Sequence, residues 1–71
     1  MKNNLSRILG ERLLKVSDVY RGTGISKTTL TDIYYQRSTN IQFETLQKIC
    51  DYLQVSLSEL IEYVPTARKE G

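Results

Sequence analysis

The sequence predicts an all-α fold, a compact domain of five short helices. Apolar residues recur at spacings of three and four, which gives each helix one buried face. A turn around Gly24 separates the second helix from the third, and Ser56 and Glu59 form an S-x-x-E capping box that opens the fifth. A chain of 71 residues accommodates one such domain with one modest core.

The helix boundaries follow from the apolar spacing and from the capping residues. We expect helices at about residues 4–13, 16–23, 27–35, 43–53 and 57–63, in a domain spanning residues 1–65 with a flexible charged tail at 66–71. Asn3 or Asn4 can cap the first helix and Ser26 the third. Pro65 ends any helical run before it. The residues expected to face inward are Leu5, Ile8, Leu9, Leu13, Leu30, Ile33, Tyr34, Phe43, Leu46, Ile49, Cys50, Leu53, Leu57, Leu60 and Ile61.

Charge is distributed unevenly along the chain. Residues 1–37 carry seven basic and three acidic side chains, whereas residues 38–71 carry three basic and five acidic ones. A basic front half suits an acidic polymer as partner. Ordinary solvated surface charges explain the same asymmetry, so it supports nucleic-acid binding without establishing it.

Composition argues against several classes of protein. Without histidine and with Cys50 as its single cysteine, the chain lacks the ligands of a structural zinc site and cannot form an internal disulfide. We expect no cofactor and no enzymatic activity, because no Gly-rich phosphate loop or pair of carboxylates in a cleft is evident. No long apolar run or signal-peptide pattern occurs, so we expect a cytoplasmic protein that does not enter a membrane.

The start of the third helix is unusually rich in hydroxyl groups. Ser26, Thr28, Thr29 and Thr31 surround Lys27, although serine and threonine are mediocre helix formers. A helix face that simply meets solvent more often uses Glu, Lys and Ala. Short hydroxyl side chains allow close approach to phosphates and base edges, so we expect this helix to enter the major groove of DNA.

The order and spacing of several motifs resemble the lambda-repressor-like helix-turn-helix family, which includes phage repressors, Cro proteins and xenobiotic-response-element-type bacterial regulators. The residues that carry the resemblance are Thr23-Gly24-Ile25-Ser26, Leu30, Ile33, Leu46, Leu53-Gln54-Val55-Ser56 and Glu59-Leu60. It covers about residues 5–64. It implies a five-helix lambda-repressor-like DNA-binding domain whose helix-turn-helix consists of helices 2 and 3.

The resemblance also implies which side chains meet DNA. The expected base-contacting residues are Lys27, Thr28, Thr31 and Asp32, and the expected phosphate-contacting residues are Ser17, Ser26, Tyr35, Arg37 and Ser38. In this scheme Asp32 either accepts a hydrogen bond from cytosine or orients Lys27.

Two residues depart from the family pattern. Val16 stands where glutamine often contacts a phosphate, and Tyr20 stands where a small residue is usual. Tyr20 either disturbs the packing of helices 2 and 3 or lies along the rim with its hydroxyl toward DNA.

The expected function is that of a sequence-specific regulator of transcription bound to double-stranded DNA. One recognition helix contacts too few base pairs for useful selectivity, so we expect a homodimer on a palindromic operator. Its interface would include Leu57, Ile61, Tyr63 and Val64, although Leu57 could equally close the monomer core. A repressor is favoured over an activator, with no small-molecule effector. The alternative is an antitoxin-like or adaptor module that binds protein through the same fold.

Overall fold

The structure is a computed structural model that describes residues 2–62. Its helices are α1 (Leu5–Glu11), α2 (Val16–Thr23), α3 (Lys27–Tyr34), α4 (Phe43–Leu53) and α5 (Leu57–Leu60), and its strands are β1 (Lys2–Asn3) and β2 (Ile61–Glu62). The described residues are thus mostly helical, with five helices as expected. The two short strands were not expected.

The core is built from one apolar stripe on each of the five helices. The largest fully buried side chains are Leu5, Leu9, Val19, Leu30, Ile33, Ile49, Leu53 and Leu60. Since α3 contributes Leu30 and Ile33 to this core, packing holds it helical despite the poor helix propensity of its hydroxyl residues. Cys50 is half-buried against the core, and burial raises the pKa of its thiol.

Three residues expected to face inward are exposed instead. Leu13 is 91% exposed because it follows the end of α1 in a left-handed backbone conformation that turns it away from the helical stripe. Phe43 is 66% exposed, since it is the first residue of α4 and the buried face of that helix begins at Leu46. Leu57, the first residue of α5, is 44% exposed, whereas Leu60, which was also expected to face inward, is fully buried.

The fifth helix is shorter than the expected 57–63. It ends at Leu60 because the chain then pairs antiparallel with the N-terminal segment, with Lys2 opposite Glu62 and Asn3 opposite Ile61. The Asn4 amide also donates to the Leu60 carbonyl at 2.7 Å. The strands therefore join the beginning of the chain to the end of the helical bundle.

The capping box predicted for α5 is present. The Glu59 amide donates to Ser56 Oγ at 3.3 Å, and the Ser56 amide donates to Glu59 Oε1 at 3.2 Å. The hydrogen bonds from Ser56 lower the pKa of the Glu59 carboxyl because they favour its charged form. This element was recognisable from four consecutive residues.

Candidate nucleic-acid interface

The turn between α2 and α3 fixes the direction in which α3 leaves. Gly24 is left-handed, with φ of 78°, and its amide donates to the Tyr20 carbonyl at 2.9 Å. The Thr23 hydroxyl donates to the Val19 carbonyl at 2.7 Å and accepts from the Ile25 amide at 3.1 Å. Because the Ile25 side chain is buried in the core, the turn is anchored by both its backbone and its side chains.

A serine cap begins α3 and leaves its first side chains exposed. Ser26 Oγ accepts from the Thr29 amide at 3.2 Å and donates to Thr29 Oγ1 at 2.9 Å. Lys27 and Thr28 are exposed, whereas Thr31, one turn further along, is half-buried. The predicted base-contacting side chains at the N-terminus of α3 are therefore accessible.

Tyr20 lies at the surface beside the start of α3. Its side chain is 41% exposed, and Lys27 Nζ lies 5.3 Å from the centre of its ring. The neighbouring Val19 supplies the buried contact from α2, while Leu30 supplies one from α3. The ring of Tyr20 therefore lies at the surface, as the second alternative expected, and the approach of its hydroxyl to DNA stays a prediction.

Asp32 is paired with Arg37 at the opposite end of α3. Arg37 Nε donates to Asp32 Oδ1 at 3.1 Å, and Arg37 Nη2 lies 3.0 Å from the same oxygen. The guanidinium also lies 5.3 Å from the centre of the Tyr35 ring. Asp32 thus orients Arg37, while the ammonium of Lys27 lies over Tyr20.

The chain reversal after α3 brings Arg37 back to Asp32. Gln36 is left-handed, with φ of 61°, the Arg37 amide donates to the Asp32 carbonyl at 2.8 Å, and the Gln36 amide donates to the Ile33 carbonyl at 3.1 Å. These two bonds form a Schellman motif. Local backbone geometry therefore places a basic side chain at the C-terminal end of α3.

The last turn of α3 is tied to the N-terminus of the chain. The Gln36 side chain accepts from the Asn3 amide at 3.1 Å and donates to the Asn3 carbonyl at 2.8 Å. The buried Asn3 side chain donates to the Ile33 carbonyl at 2.9 Å and accepts from the Leu5 amide at 3.0 Å. Asn3 was expected to do no more than cap α1, and nothing in the sequence relates it to Gln36.

The remaining predicted residues lie around α3 rather than in one cluster with Lys27. Ser17 is half-buried in the first turn of α2, and Tyr35 is 61% exposed after the end of α3. Ser38 is half-buried in a groove of about 350 Å³ between α3 and the start of α4. The groove is lined by Thr29, Asp32, Ser38, Asn40, Ile41, Gln42 and Thr45.

Two of the four residues expected at a dimer interface lie within the described residues. Leu57 is exposed on α5, and Ile61 is half-buried in β2. Tyr63 and Val64 lie outside the described residues, as do Pro65 and the predicted tail at 66–71.

In a comparison with known protein families, the model described as the Cro/C1-type HTH DNA-binding domain matches residues 4–66. The chain belongs to this family. No curated protein and no solved structure matches it. The matched range of the Cro/C1-type domain includes all five helices and β2, so the turn at Gly24 and the exposed start of α3 belong to a DNA-binding domain.

Within residues 2–62, no group of three or more His, Cys, Asp or Glu side chains is placed to hold a metal ion. Over the same range, no helix has both the length and the apolar character needed to cross a membrane.

Proposed function

We propose that the protein is a sequence-specific regulator of transcription that binds double-stranded DNA with α3 in the major groove. The observation that carries the proposal is the exposure of Lys27 and Thr28 on a capped helix start, next to an anchored turn, in a Cro/C1-type domain. The major groove is wide enough to admit a helix, whose N-terminal side chains then reach the base edges.

Base recognition is assigned to the first half of α3. Lys27 donates from Nζ to guanine O6 or N7, and the Thr28 side chain offers a methyl group to thymine or a hydroxyl to a polar base edge. Thr31 is half-buried one turn further along α3, and it contacts DNA only where the helix lies deepest in the major groove. Each well-formed bidentate base contact contributes about 1–3 kcal/mol of discrimination against the wrong base.

Phosphate contacts are assigned to the rim around α3. Arg37, with Tyr35 beside it, supplies a charged donor after the helix, and Ser38 and Ser17 supply hydroxyl groups. Such contacts set orientation and affinity but carry no sequence information. They also make binding weaken as salt concentration rises.

Ser26 and Thr29 lie together at the start of α3. Ser26 Oγ accepts from the Thr29 amide and lies 2.9 Å from Thr29 Oγ1, so two exposed hydroxyl groups are adjacent there. We assign the phosphate contact at this corner to Ser26, which also caps the helix, with the Thr29 hydroxyl beside it.

The protein acts in this proposal as a homodimer on a palindromic operator, and as a repressor. Two recognition helices are needed because one helix contacts only a few base pairs, and two-fold symmetry in the protein matches a palindrome in the DNA. Repression requires only occupancy, since a bound dimer excludes polymerase from the same stretch of DNA.

The test is selection of bound duplexes from a random pool with the full chain. We expect an enriched palindrome whose half-sites lie about 34 Å, or one DNA turn, apart. Lys27→Ala and Thr28→Ala should each lose preference at particular base positions while their thermal unfolding stays close to that of the wild type, because both side chains are exposed.

Two outcomes would contradict the proposal. Unchanged base preference in both variants would remove the assignment of α3 as the recognition helix. A wild-type protein that binds no duplex DNA at low salt would leave a protein-binding module as the better description of the domain.

A further inference from the structure

We propose that Tyr20 is a positioning residue for base recognition, because its ring holds the Lys27 ammonium at the start of α3. The inference rests on the proposed function, since it concerns how Lys27 meets DNA. It assigns to an exposed aromatic residue of α2 a part in the specificity of α3.

The backbone between the two residues leaves little freedom in their relative position. The Tyr20 carbonyl accepts from the Gly24 amide at 2.9 Å, so the residue that carries the ring also closes the turn. Buried Ile25 and the Ser26 cap then fix the first residue of α3. This path fixes the backbone of the two residues, and Lys27 Nζ lies 5.3 Å from the ring centre.

The contact compensates for a weakness of lysine as a base-contacting residue. Lysine carries its charge on a flexible four-carbon stem with several rotatable bonds, and ordering that stem on DNA costs conformational entropy. A cation within about 6 Å of a tyrosine ring is attracted to its face. The ring therefore restricts the ammonium before DNA arrives, and less ordering remains for the bound state.

Tyr20 is not required to complete the core. Its side chain is 41% exposed, and the buried contribution of α2 comes from Val19, which is fully buried. The next residue, Arg21, is engaged with Asp18 on α2 itself. The ring of Tyr20 lies beside Lys27, at the surface where α3 begins.

The first measurement concerns the free protein and needs no DNA. We expect the Lys27 ε-methylene protons to be shifted upfield by the ring in wild type and in Tyr20→Phe, and to return to ordinary values in Tyr20→Leu. Tyr35→Leu is the matched control, because Tyr35 faces Arg37 and its loss should leave Lys27 unchanged. Unshifted Lys27 protons in the wild type would overturn the inference whatever the protein binds.

The second measurement uses duplexes selected by the wild-type chain and their single-base variants. Tyr20→Leu should lower discrimination about two- to fivefold at the base positions that Lys27→Ala affects, as expected for an exposed cation–π contact. Tyr20→Phe should keep full discrimination. In the Lys27→Ala background, Tyr20→Leu should have no further effect on base preference.

The outcomes separate this inference from the proposed function. If the wild type selects no sequence, the proposed function fails and the inference fails with it, even where the proton shifts show the contact. If the wild type selects a sequence but Tyr20→Leu changes affinity equally for all duplexes, or acts equally with and without Lys27, only the inference is overturned. Thermal unfolding of each variant shows whether a loss of discrimination accompanies a loss of fold.

Discussion

Arg37 is held by two neighbouring side chains at the C-terminal end of α3. Its guanidinium pairs with the Asp32 carboxylate and also lies 5.3 Å from the centre of the Tyr35 ring. Arg37 and Asp32 are both partly exposed, with 43% of the Asp32 side chain accessible. Their ion pair alone therefore contributes at most about 1 kcal/mol to stability. In the proposed complex its larger consequence is electrostatic, because Asp32 neutralises part of the positive charge on the surface proposed to face DNA.

Substitutions of these two residues should therefore have opposite effects on binding. Arg37→Ala should weaken binding to all duplexes about equally and reduce the slope of log affinity against log salt by about 1, because one phosphate contact is lost. Asp32→Asn should strengthen binding to random-sequence duplex, because a negative charge leaves the surface. Fluorescence titrations at several salt concentrations measure both effects.

The control for charge alone is Arg7→Ala on α1, whose guanidinium pairs with Glu11 on the same helix. It should leave the salt slope closer to the wild-type value than Arg37→Ala does. An Arg37→Ala variant with an unaltered slope would remove the phosphate assignment. Weaker random-duplex binding by Asp32→Asn would show that Asp32 serves mainly to hold Arg37.

At the scale of elements, α3 is fastened at both ends by hydrogen bonds from outside the helix. Ser26 caps its first turn, and the buried Asn3 side chain donates to the Ile33 carbonyl in its last turn. The backbone amide of Asn3 donates to the Gln36 side chain, and the backbone carbonyl of Asn3 accepts from it. Segment β1 therefore supports α3 as well as pairing with β2.

Asn3→Ala should destabilise the protein by about 1–3 kcal/mol, because the buried Leu5 amide loses its partner and the Ile33 carbonyl keeps only the Gln36 amide. Amide exchange should also accelerate in the last turn of α3. Asn4→Ala is the matched control: its half-buried side chain donates to the Glu59 carbonyl at 3.0 Å in a hydrogen bond that is exposed to solvent, and its loss should cost less. Urea unfolding and hydrogen exchange measure the two effects. Equal destabilisation by both variants would contradict the special role of Asn3.

At the scale of the whole molecule, the proposed dimer needs a surface away from α3. Leu57 is a large apolar residue, 44% exposed, on the helix that precedes β2. Ile61, on β2, packs against the core and is only half-buried. These two residues form the described part of the proposed interface.

We expect two protomers on each selected duplex, measured by analytical ultracentrifugation of the complex. Leu57→Glu should reduce the complex to independent binding at half-sites, because a charge would be buried at the interface without a partner. Leu13→Glu is the control, since Leu13 is 91% exposed at the end of α1. Unchanged cooperativity in Leu57→Glu would exclude this surface, and a single protomer on the wild-type complex would exclude the dimer.

Most of the fold was predictable because its signals are local. Apolar spacing and capping residues predicted the first residues of α2, α3, α4 and α5 as observed. Ser26 and the Ser56 capping box each mark the start of a helix, and Gly24 marks the end of one, so each boundary lies next to the residue that signals it. The polar, hydroxyl-rich start of α3 likewise singled out a candidate surface. Each of these features depends on residues close together in the chain.

The sequence by itself therefore determined the helices, the turn at Gly24 and the exposed start of α3. Only the tertiary structure decided that Asn3 meets Gln36, that Lys27 lies over Tyr20, and that Asp32 orients Arg37. Left-handed Leu13, Gln36 and Gln54 end three helices without glycine, so no local signal marked those reversals. The physical reason is that packing and long-range hydrogen bonds can stabilise a backbone conformation, or join two distant side chains, against what the neighbouring residues favour.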